Sequence, residues 1–123
     1  MSNKSDFYEK VYDVVEQIPH GKVTTYGAIA GYIGVRSGAR MVGYALNNLL
    51  SGKAQEMNRE LPAHRVVNRL GQLTGRAYFP GDTMRERLQQ EGVTFKKDYT
   101  VEIDEHFWDP ADNLSSINKK NMK

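Results

Sequence analysis

The sequence contains no cysteine in its 123 residues, which excludes disulfides, thiolate metal sites and a cysteine nucleophile together. Long apolar runs are also absent, since no stretch approaches the roughly 20 residues that span a bilayer. The opening MSNKSDFYEK lacks the apolar segment of a signal peptide. His20, His64 and His106 are too far apart along the chain to show metal-ligand spacing. We therefore expect a soluble cytoplasmic protein that contacts no membrane and needs neither a metal nor another cofactor.

The length suits one compact domain with a core that needs no cross-links. Apolar residues at helical spacing predict a first amphipathic helix over residues 6–18, with Ser5 and Asp6 as capping residues and the proline and glycine of IPHGK ending it. The last ten residues, LSSINKKNMK, have almost no apolar content. We therefore expect a single domain over residues 1–113 and a disordered tail over residues 114–123.

Basic residues are concentrated in the middle of the chain, although the formal net charge is only +2. Residues 20–79 contain eight basic residues and two acidic ones. The basic residues are Lys22, Arg36, Arg40, Lys53, Arg59, Arg65, Arg69 and Arg76. Residues 98–113 contain six acidic residues and no lysine or arginine, so we expect them to face away from a phosphate backbone. A basic surface of this kind is typical of DNA-binding proteins, and solvated charges without a partner are the alternative.

Two short helices are predicted on either side of a connection that contains glycine. Thr25 is the candidate cap of TYGAIAGYIG, which ends near Gly34. The run VRSGARMVGYALNNLL starts the next helix with Ser37 as candidate cap, and its apolar side consists of Val42, Leu46, Leu49 and Leu50. Such a pair indicates a helix-turn-helix, although similar pairs also occur as plain core. Arg40 falls in the first turn of the second helix, where it opposes the helix dipole, and this favours a negatively charged partner over plain solvation.

The remaining segments predict short elements joined by loops. Residues 51–60 are polar and aperiodic and predict a surface loop. Pro62 predicts an extended start to LPAHRVV, whose Val66 and Val67 suit a buried strand or turn. RLGQLTGR predicts a turn or small hairpin. MRERLQQEG predicts a helix capped by Asp82, and the alternation of YTVEI predicts a strand.

Four motifs follow one another along the chain: IPHGKVTTYGAIA, GARMVGYAL, LPAHRVVNRLGQLTG and LQQEGV. In this order and spacing they resemble the DNA-binding domain of the O6-alkylguanine-DNA alkyltransferases, over roughly residues 7–95. In that family a proline, cysteine, histidine, arginine motif supplies the cysteine that accepts the alkyl group, and here that position is Ala63. Because a methyl group has no lone pair for the attack, the chain resembles the alkyltransferase-like branch, which lacks the acceptor. The resemblance implies a mostly α fold, that of the alkyltransferase C-terminal domain, with a winged-helix-like helix-turn-helix and a small β element.

The resemblance also implies roles at a DNA surface. Tyr26 corresponds to the tyrosine that crowds the target's phosphate and helps to rotate the nucleotide outward. Arg40 corresponds to the arginine that enters the duplex and fills the gap left by the flipped base. In this family the helix-turn-helix enters the minor groove, where an inserted side chain can unstack bases. Ala39, Gly43 and Ala45 would let the helix approach DNA closely, and ordinary helix packing is the alternative for each of them.

Four residues would form the lesion pocket, namely Tyr26, Ala63, Val66 and Arg76. Ala63 leaves room where the enzymes have a sulfur atom. Val66 and Val67 could supply an apolar wall, and we expect at least one of them to be plain core. Arg76 falls where the enzymes have a pocket tyrosine and where the alkyltransferase-like branch has a lesion-binding arginine. A guanidinium can lie over a purine ring and donate hydrogen bonds to it, and solvent exposure as one of several loop arginines is the alternative.

His64, Arg65 and Glu91 correspond to the hydrogen-bonding chain that activates the thiol in the enzymes. Without a thiol, we expect a structural role for them, in which the pocket loop is held against the helix around Leu88. Two departures from the family pattern lie between the second helix of the pair and the pocket motif. The family's asparagine and proline after the recognition helix appear as NNLL, and the loop over residues 51–60 is longer than the family pattern.

The function implied by the resemblance is damage recognition without chemistry. A monomer would bind O6-alkylguanine in double-stranded DNA, flip the nucleotide, and present it to nucleotide excision repair proteins. One alternative is a helix-turn-helix transcriptional regulator, for which a dimerisation element would be expected and none is evident. Another is a hydrolase that activates water with His64 or Glu91, although nothing in the motif positions a water.

Overall fold

The computed structural model describes residues 3–35, 38–50 and 61–114, with side chains from Asp6 onward. Its elements are α1 (Asn3–Glu16), β1 (Thr24–Thr25), α2 (Tyr26–Ile33), α3 (Ala39–Leu50), β2 (Val66–Val67), α4 (Thr83–Gln90), β3 (Phe95–Lys97), β4 (Thr100–Val101) and α5 (Ile103–His106). The predicted mostly α fold with a small β element is confirmed. The predictions for the Ser37 cap, the 51–60 loop and the tail beyond residue 114 lie outside the described residues.

Helix α1 starts and ends earlier than predicted. It spans Asn3–Glu16, so Ser5 and Asp6 lie in its first turn and not at its cap. A carboxylate suits this position because the amino end of a helix attracts negative charge. The helix stops before residue 18 because Pro19 disfavours helical backbone at the residue that precedes it. The Tyr12 hydroxyl donates a hydrogen bond to the carbonyl of Ala45 at 2.8 Å, which fixes α1 against α3.

Helices α2 and α3 are the predicted pair, and they pack against each other. Thr25 caps α2 as predicted, because its hydroxyl oxygen accepts a hydrogen bond from the Ala28 amide at 3.0 Å. Gly34 ends the helix with a φ of 101°, a left-handed conformation that favours glycine. Arg40 is the second residue of α3 and lies in its first turn, as predicted.

A parallel pair of strands joins two apolar clusters. Strand β1 pairs with β2, with Thr24 opposite Val66 and Thr25 opposite Val67. Neighbouring residues of a strand point to opposite faces, so Val66 belongs to a first cluster built mainly from α1, α2 and α3. Val67 belongs to a second cluster in the other half of the chain. The second cluster consists of Val23, Val67, Leu73, Met84, Leu88, Val93 and Val101.

Two predictions in the second half of the chain need correction. Helix α4 begins after Asp82, but the Asp82 side chain makes no capping hydrogen bond, because its backbone (φ −107°, ψ 24°) is not in the extended conformation of a cap. Its carboxylate lies 3.3 Å from Nε of Arg85 instead. The strand predicted from YTVEI is limited to β4, which pairs antiparallel with β3, because the chain turns into α5 at Ile103.

The RLGQLTGR segment forms the predicted turn, which is attached to β4. The Asn68 side-chain oxygen accepts hydrogen bonds from the amides of Leu70 at 3.0 Å and Gln72 at 2.8 Å. The Val101 amide donates to the carbonyl of Gly71 at 2.8 Å. Gly71 has a φ of 87°, and a Cβ atom there would lie 2.6 Å from the carbonyl oxygen of Val101. A 3₁₀ turn, Arg76–Tyr78, follows.

Gly71→Ala is expected to lower the free energy of unfolding by about 2–3 kcal/mol, because a left-handed backbone and a clash with β4 act together. Urea denaturation with an unchanged slope would measure this loss. Gly31→Ala in α2 is the matched control, since a Cβ atom there meets no atom within 4 Å, and it should raise stability by up to about 1 kcal/mol. Equal midpoints for Gly71→Ala and the unaltered protein would mean that the turn does not depend on this close approach.

The described chain ends in a short helical stretch. Residues 110–114 are helical, and Leu114 packs against the first cluster. Leu114 is partly buried, and the rest of the tail predicted over residues 114–123 lies outside the described residues, so its disorder stays a prediction. Within the described residues, we find no helix with the length and apolar character needed to cross a membrane.

Candidate nucleic-acid interface

Ala63 and Val66 are both buried. Ala63 starts the 3₁₀ turn Ala63–Arg65 and is 4% exposed. Both residues belong to the first apolar cluster, and Val66 is 1% exposed. In this structure Val66 therefore contributes to the core and not to an exposed wall. The methyl group of Ala63 fills space at the position where the resemblance implies an acceptor, but it offers no nucleophile.

His64, Arg65 and Glu91 form one hydrogen-bonded ion cluster. Arg65 donates to both carboxylate oxygens of Glu91, from Nε at 2.9 Å and from Nη2 at 2.7 Å. His64 Nε2 lies 2.8 Å from Glu91 Oε2. The side chains of Arg65 and Glu91 are only 15% and 10% exposed. A bidentate pair with little access to water is the geometry in which an arginine and a carboxylate bind each other most strongly.

The protonation states in this cluster follow from its contacts. Burial alone would raise the pKa of Glu91, but hydrogen bonds from Arg65, His64 and the Gly21 amide outweigh it and lower the pKa to about 2. Burial lowers the pKa of His64, and Glu91 only partly offsets this effect. His64 is therefore neutral near pH 7, and Nε2 carries its proton because Nε2 faces an ionised carboxylate. The other nitrogen, Nδ1, is buried without a hydrogen-bond partner among the described residues.

The same cluster connects three segments that are distant in sequence. Besides Glu91, Arg65 donates from Nη1 to the carbonyl of Ile18 at 2.8 Å. The Gly21 amide donates to Glu91 Oε1 at 3.2 Å. The segment after α1, the turn at Ala63–Arg65 and the end of α4 are thus held together by one carboxylate.

Tyr26 lies at the start of α2 and reaches the segment that carries Arg76. Its hydroxyl is 3.3 Å from the Thr74 hydroxyl oxygen, and a Cβ atom on Gly75 would lie 3.5 Å from the Tyr26 hydroxyl. Burial raises the pKa of Tyr26, and the hydrogen bond to Thr74 lowers it by less. The phenol therefore stays protonated at neutral pH and can donate a hydrogen bond.

Arg76 is exposed and contacts the ring of Tyr99. The central carbon of its guanidinium lies 4.2 Å from the ring centroid, and that of Arg85 lies 5.1 Å from the same centroid. Arg85 is held separately, because its Nη1 donates to the carbonyl of Asp98 at 3.2 Å and its Nε lies 3.3 Å from a carboxylate oxygen of Asp82. Arg85 thus has two polar contacts besides the ring of Tyr99.

A cavity of about 470 Å³ opens beside this ring. Its lining consists of Thr74, Arg76, Ala77, Phe79, Gly81, Asp82 and Tyr99. Among the four residues predicted to form the lesion pocket, Arg76 lines this cavity, whereas Ala63 and Val66 are buried in the core. The hairpin of β3 and β4 brings the backbone carbonyl of Asp98 next to Arg85 and the ring of Tyr99 next to Arg76.

The amino end of α3 presents Arg40 to solvent. Arg40 is exposed, and Ala39 is half-buried. Gly43 has no atom within 4 Å of its Cβ position, so the helix surface there is open to a close approach. Val35 and Tyr44, which are 38% and 48% exposed, lie on either side of Arg40 in sequence. On α3 itself, Arg40 and Tyr44 are thus exposed, whereas Val35 precedes the helix.

Part of the positive charge in the middle of the chain is neutralised within the protein. Among the eight basic residues of that region, five belong to the described residues. Arg65 is neutralised by Glu91. Lys22, Arg40, Arg69 and Arg76 are exposed. These four cations are available to a phosphate backbone.

Thr74, Arg85 and Tyr99 also belong to the site, although their sequence context did not predict it. Thr74 contacts Tyr26, Tyr99 contacts Arg76, and Arg85 contacts both Tyr99 and Asp82. For Tyr99, the only indication in the sequence was its aromatic side chain at the start of YTVEI. Its proximity to Arg76 depends on the bond from the Leu73 amide to the carbonyl of Tyr99, at 3.0 Å, which no local pattern predicts.

Comparisons with known proteins agree on one family. The family model described as 6-O-methylguanine DNA methyltransferase, DNA binding domain, matches residues 6–93. Alkyltransferase-like protein 1 of Schizosaccharomyces pombe is 40% identical over 110 residues, which cover 85% of this chain and 96% of that protein. A DNA base-flipping protein of Vibrio parahaemolyticus is 35% identical over 106 residues, covering 85% and 97%.

A solved structure confirms the predicted fold. The crystal structure of S. pombe Atl1 in complex with damaged DNA containing O6-carboxymethylguanine aligns with a TM-score of 0.70 and 39% identity. The alignment covers 86% of this chain and 97% of that one. By contrast, a methylated-DNA–protein-cysteine methyltransferase of Methanosarcina acetivorans is 36% identical over 84 residues, which are 49% of that enzyme. The chain therefore belongs to the family of the 6-O-methylguanine DNA methyltransferase DNA-binding domain, among its alkyltransferase-like members.

Proposed function

We propose that this protein binds O6-alkylguanine in double-stranded DNA, flips the damaged nucleotide out of the duplex, and leaves the alkyl group in place. One observation carries the proposal. Ala63 stands buried at the acceptor position, while the His64, Arg65 and Glu91 cluster around it is complete. A site that keeps its supporting structure but has no nucleophile is suited to recognition and not to transfer.

The helix-turn-helix supplies the contact with DNA. In the proposed complex, α3 enters the minor groove with Arg40 leading, and the open surface at Gly43 allows the backbone to approach closely. The Arg40 side chain takes the place of the extruded base in the stack. Tyr26 lies near the phosphate of the flipped nucleotide, where its protonated hydroxyl can donate a hydrogen bond.

The lesion itself lowers the energy needed for flipping. Extrusion of a base costs a few kcal/mol, and less where pairing is already weak. An alkyl group on the guanine oxygen removes the proton from N1 and spoils the pair with cytosine. Arg76 then lies over the flipped purine and donates to it. The exposed position of Arg76 supports this role.

Binding without removal requires a second activity to repair the DNA. We propose that the monomer marks the lesion for nucleotide excision repair proteins, and that it acts in the cytoplasm in association with DNA. The similarity to Atl1, whose crystal structure contains damaged DNA, supports the DNA partner. The absence of a catalytic role is supported by the relatives named alkyltransferase-like and base-flipping proteins.

The test compares two labelled duplexes that differ by one methyl group, one with a single O6-methylguanine and one with guanine. The purified protein is expected to bind the damaged duplex more tightly, and the methyl group should remain on the DNA after prolonged incubation. Arg76→Ala should remove most of this preference. Salt is held constant, because phosphate contacts make the affinity depend on it.

Other results would select the alternatives. Equal affinity for the two duplexes would contradict damage recognition and favour a transcriptional regulator. Disappearance of the methyl group, with release of methanol, would indicate a hydrolase, in which the unpartnered Nδ1 of His64 is the first group to examine.

A further inference from the structure

Tyr99 is the residue around which two guanidinium groups gather. Arg76 lies 4.2 Å and Arg85 lies 5.1 Å from its ring centroid. Arg85 has two further contacts, to Asp82 and to the carbonyl of Asp98. Among the described residues, Tyr99 is the side chain that the Arg76 guanidinium is seen to contact.

The ring of Tyr99 has a fixed position in the fold. Its carbonyl accepts a hydrogen bond from the Leu73 amide at 3.0 Å, and it packs against the second apolar cluster. The next residue, Thr100, is buried in β4 and bridges to Gln72. These contacts hold Tyr99 against the segment that leads into Arg76. The Arg76 side chain, which is otherwise exposed, thus contacts a ring that is itself packed against the core.

A held arginine binds a flat partner better than a free one. An exposed arginine samples many rotamers and loses that freedom on binding. A guanidinium that already rests on one aromatic ring loses less, because the contact selects among those rotamers before the partner arrives. The 470 Å³ cavity beside Arg76 and Tyr99 leaves room for such a partner.

We propose that Tyr99 is a positioning residue for lesion recognition, which holds Arg76 at the mouth of this cavity so that the guanidinium meets the flipped purine already oriented. This role rests on the proposed function, since Arg76 needs a base to bind. Tyr99 itself does not contact the DNA in this arrangement. Its effect on binding passes through Arg76.

The test uses variants that separate the aromatic ring from the rest of the side chain. Tyr99→Phe keeps the ring and should leave the preference for O6-methylguanine over guanine within about two-fold of the unaltered protein. Tyr99→Leu keeps apolar volume without a ring, and the preference should fall by about two- to five-fold, the equilibrium factor of an exposed cation–π contact. Arg85→Gln is the matched control, because it removes the other cation from the ring, and the preference should persist.

Two further measurements distinguish positioning from loss of structure. In an Arg76→Gln background, Tyr99→Leu should change the preference no further, because its effect requires Arg76. In the free protein, NMR signals of the Arg76 side chain should carry the ring-current shift of Tyr99, which Tyr99→Phe keeps and Tyr99→Leu loses. Thermal unfolding of each variant confirms that it is folded.

The outcomes separate this inference from the proposed function. If the unaltered protein shows no preference for O6-methylguanine, the proposed function fails and the role of Tyr99 fails with it. If the preference exists and Tyr99→Leu retains it, only the positioning role is overturned. If Tyr99→Leu lowered the preference for O6-methylguanine by the same factor in the Arg76→Gln background, the positioning role would also be overturned. Tyr99 would then act without Arg76.

Discussion

Glu91→Ala is expected to lower the free energy of unfolding by about 3 kcal/mol, the loss typical of a buried ion pair from which one partner is removed. The variant would leave the Arg65 guanidinium in a site that is only 15% exposed, without the carboxylate that accepts two of its hydrogen bonds. His64 Nε2 and the Gly21 amide would lose their acceptor as well. Urea denaturation measures the loss directly.

Glu86→Ala is the control on the same helix. Glu86 is exposed in the first turn of α4, so its replacement should change stability by no more than about 0.5 kcal/mol. A small effect of Glu91→Ala, similar to that of Glu86→Ala, would contradict the view that this carboxylate holds the three segments together.

Because of the same carboxylate, the free energy of unfolding should fall at acidic pH. The pKa of Glu91 in the folded protein is about 2, against an ordinary value of 4.5. Its contribution of about 3 kcal/mol to the free energy of unfolding is therefore fully present above pH 4.5. The contribution is lost as the pH falls from there through the folded-state pKa of about 2. His64 acts in the same direction, because its lowered pKa means that the unfolded chain binds a proton first as the pH falls below 6.5. Chemical denaturation at a series of pH values should show this loss of stability. In Glu91→Ala, the free energy of unfolding should depend less on pH below pH 4.5.

Arg40→Ala is expected to weaken binding to a duplex with one O6-methylguanine about 30-fold, which corresponds to about 2 kcal/mol of the energy needed to hold bases unstacked. In the proposed complex, the loss of the Arg40 side chain would leave the space of the flipped base unfilled. Fluorescence of 2-aminopurine placed next to the lesion reports the unstacking. We expect it to increase with the unaltered protein and to change little with Arg40→Ala.

Two controls separate insertion from charge. Arg40→Lys keeps the charge but lacks the planar guanidinium, so it should restore only part of the affinity. Lys22→Ala removes one exposed cation outside the helix pair, and it should weaken binding to damaged and undamaged duplexes alike. If Arg40→Ala behaved like Lys22→Ala, Arg40 would be a phosphate contact and would not be the inserted residue.

The helix-turn-helix could be predicted because its signals are local. Thr25 caps α2 and Gly34 ends it, and both act on backbone atoms within a few residues of themselves. The ends of α1 were less well predicted, because the favourable position of Asp6 inside the first turn competes with its ability to cap. Asp82 has a similar ambiguity, and its carboxylate faces Arg85 and not the helix end.

The site could be predicted from sequence only in part. The family resemblance placed His64, Arg65 and Glu91 in one hydrogen-bonding chain, but the involvement of the Ile18 carbonyl and the Gly21 amide depends on how α1 and α4 pack. Val66 was a candidate for the pocket wall, and its burial follows from its face in β2. A two-residue strand between two clusters has no alternation long enough to indicate which side each residue faces.

The sequence by itself determined the chemistry that is missing. A chain without cysteine, with Ala63 where the family resemblance implies the acceptor, has no thiolate to alkylate, and no fold can supply one. It also determined that Arg40 lies in the first turn of α3, since helix starts are set by nearby residues. Only the tertiary structure decided that Tyr99 lies under Arg76, because that contact depends on the pairing of β3 with β4 and on the turn at Gly71. Contacts between residues that are far apart in sequence depend on the packing of the whole chain, and a local pattern carries no information about them.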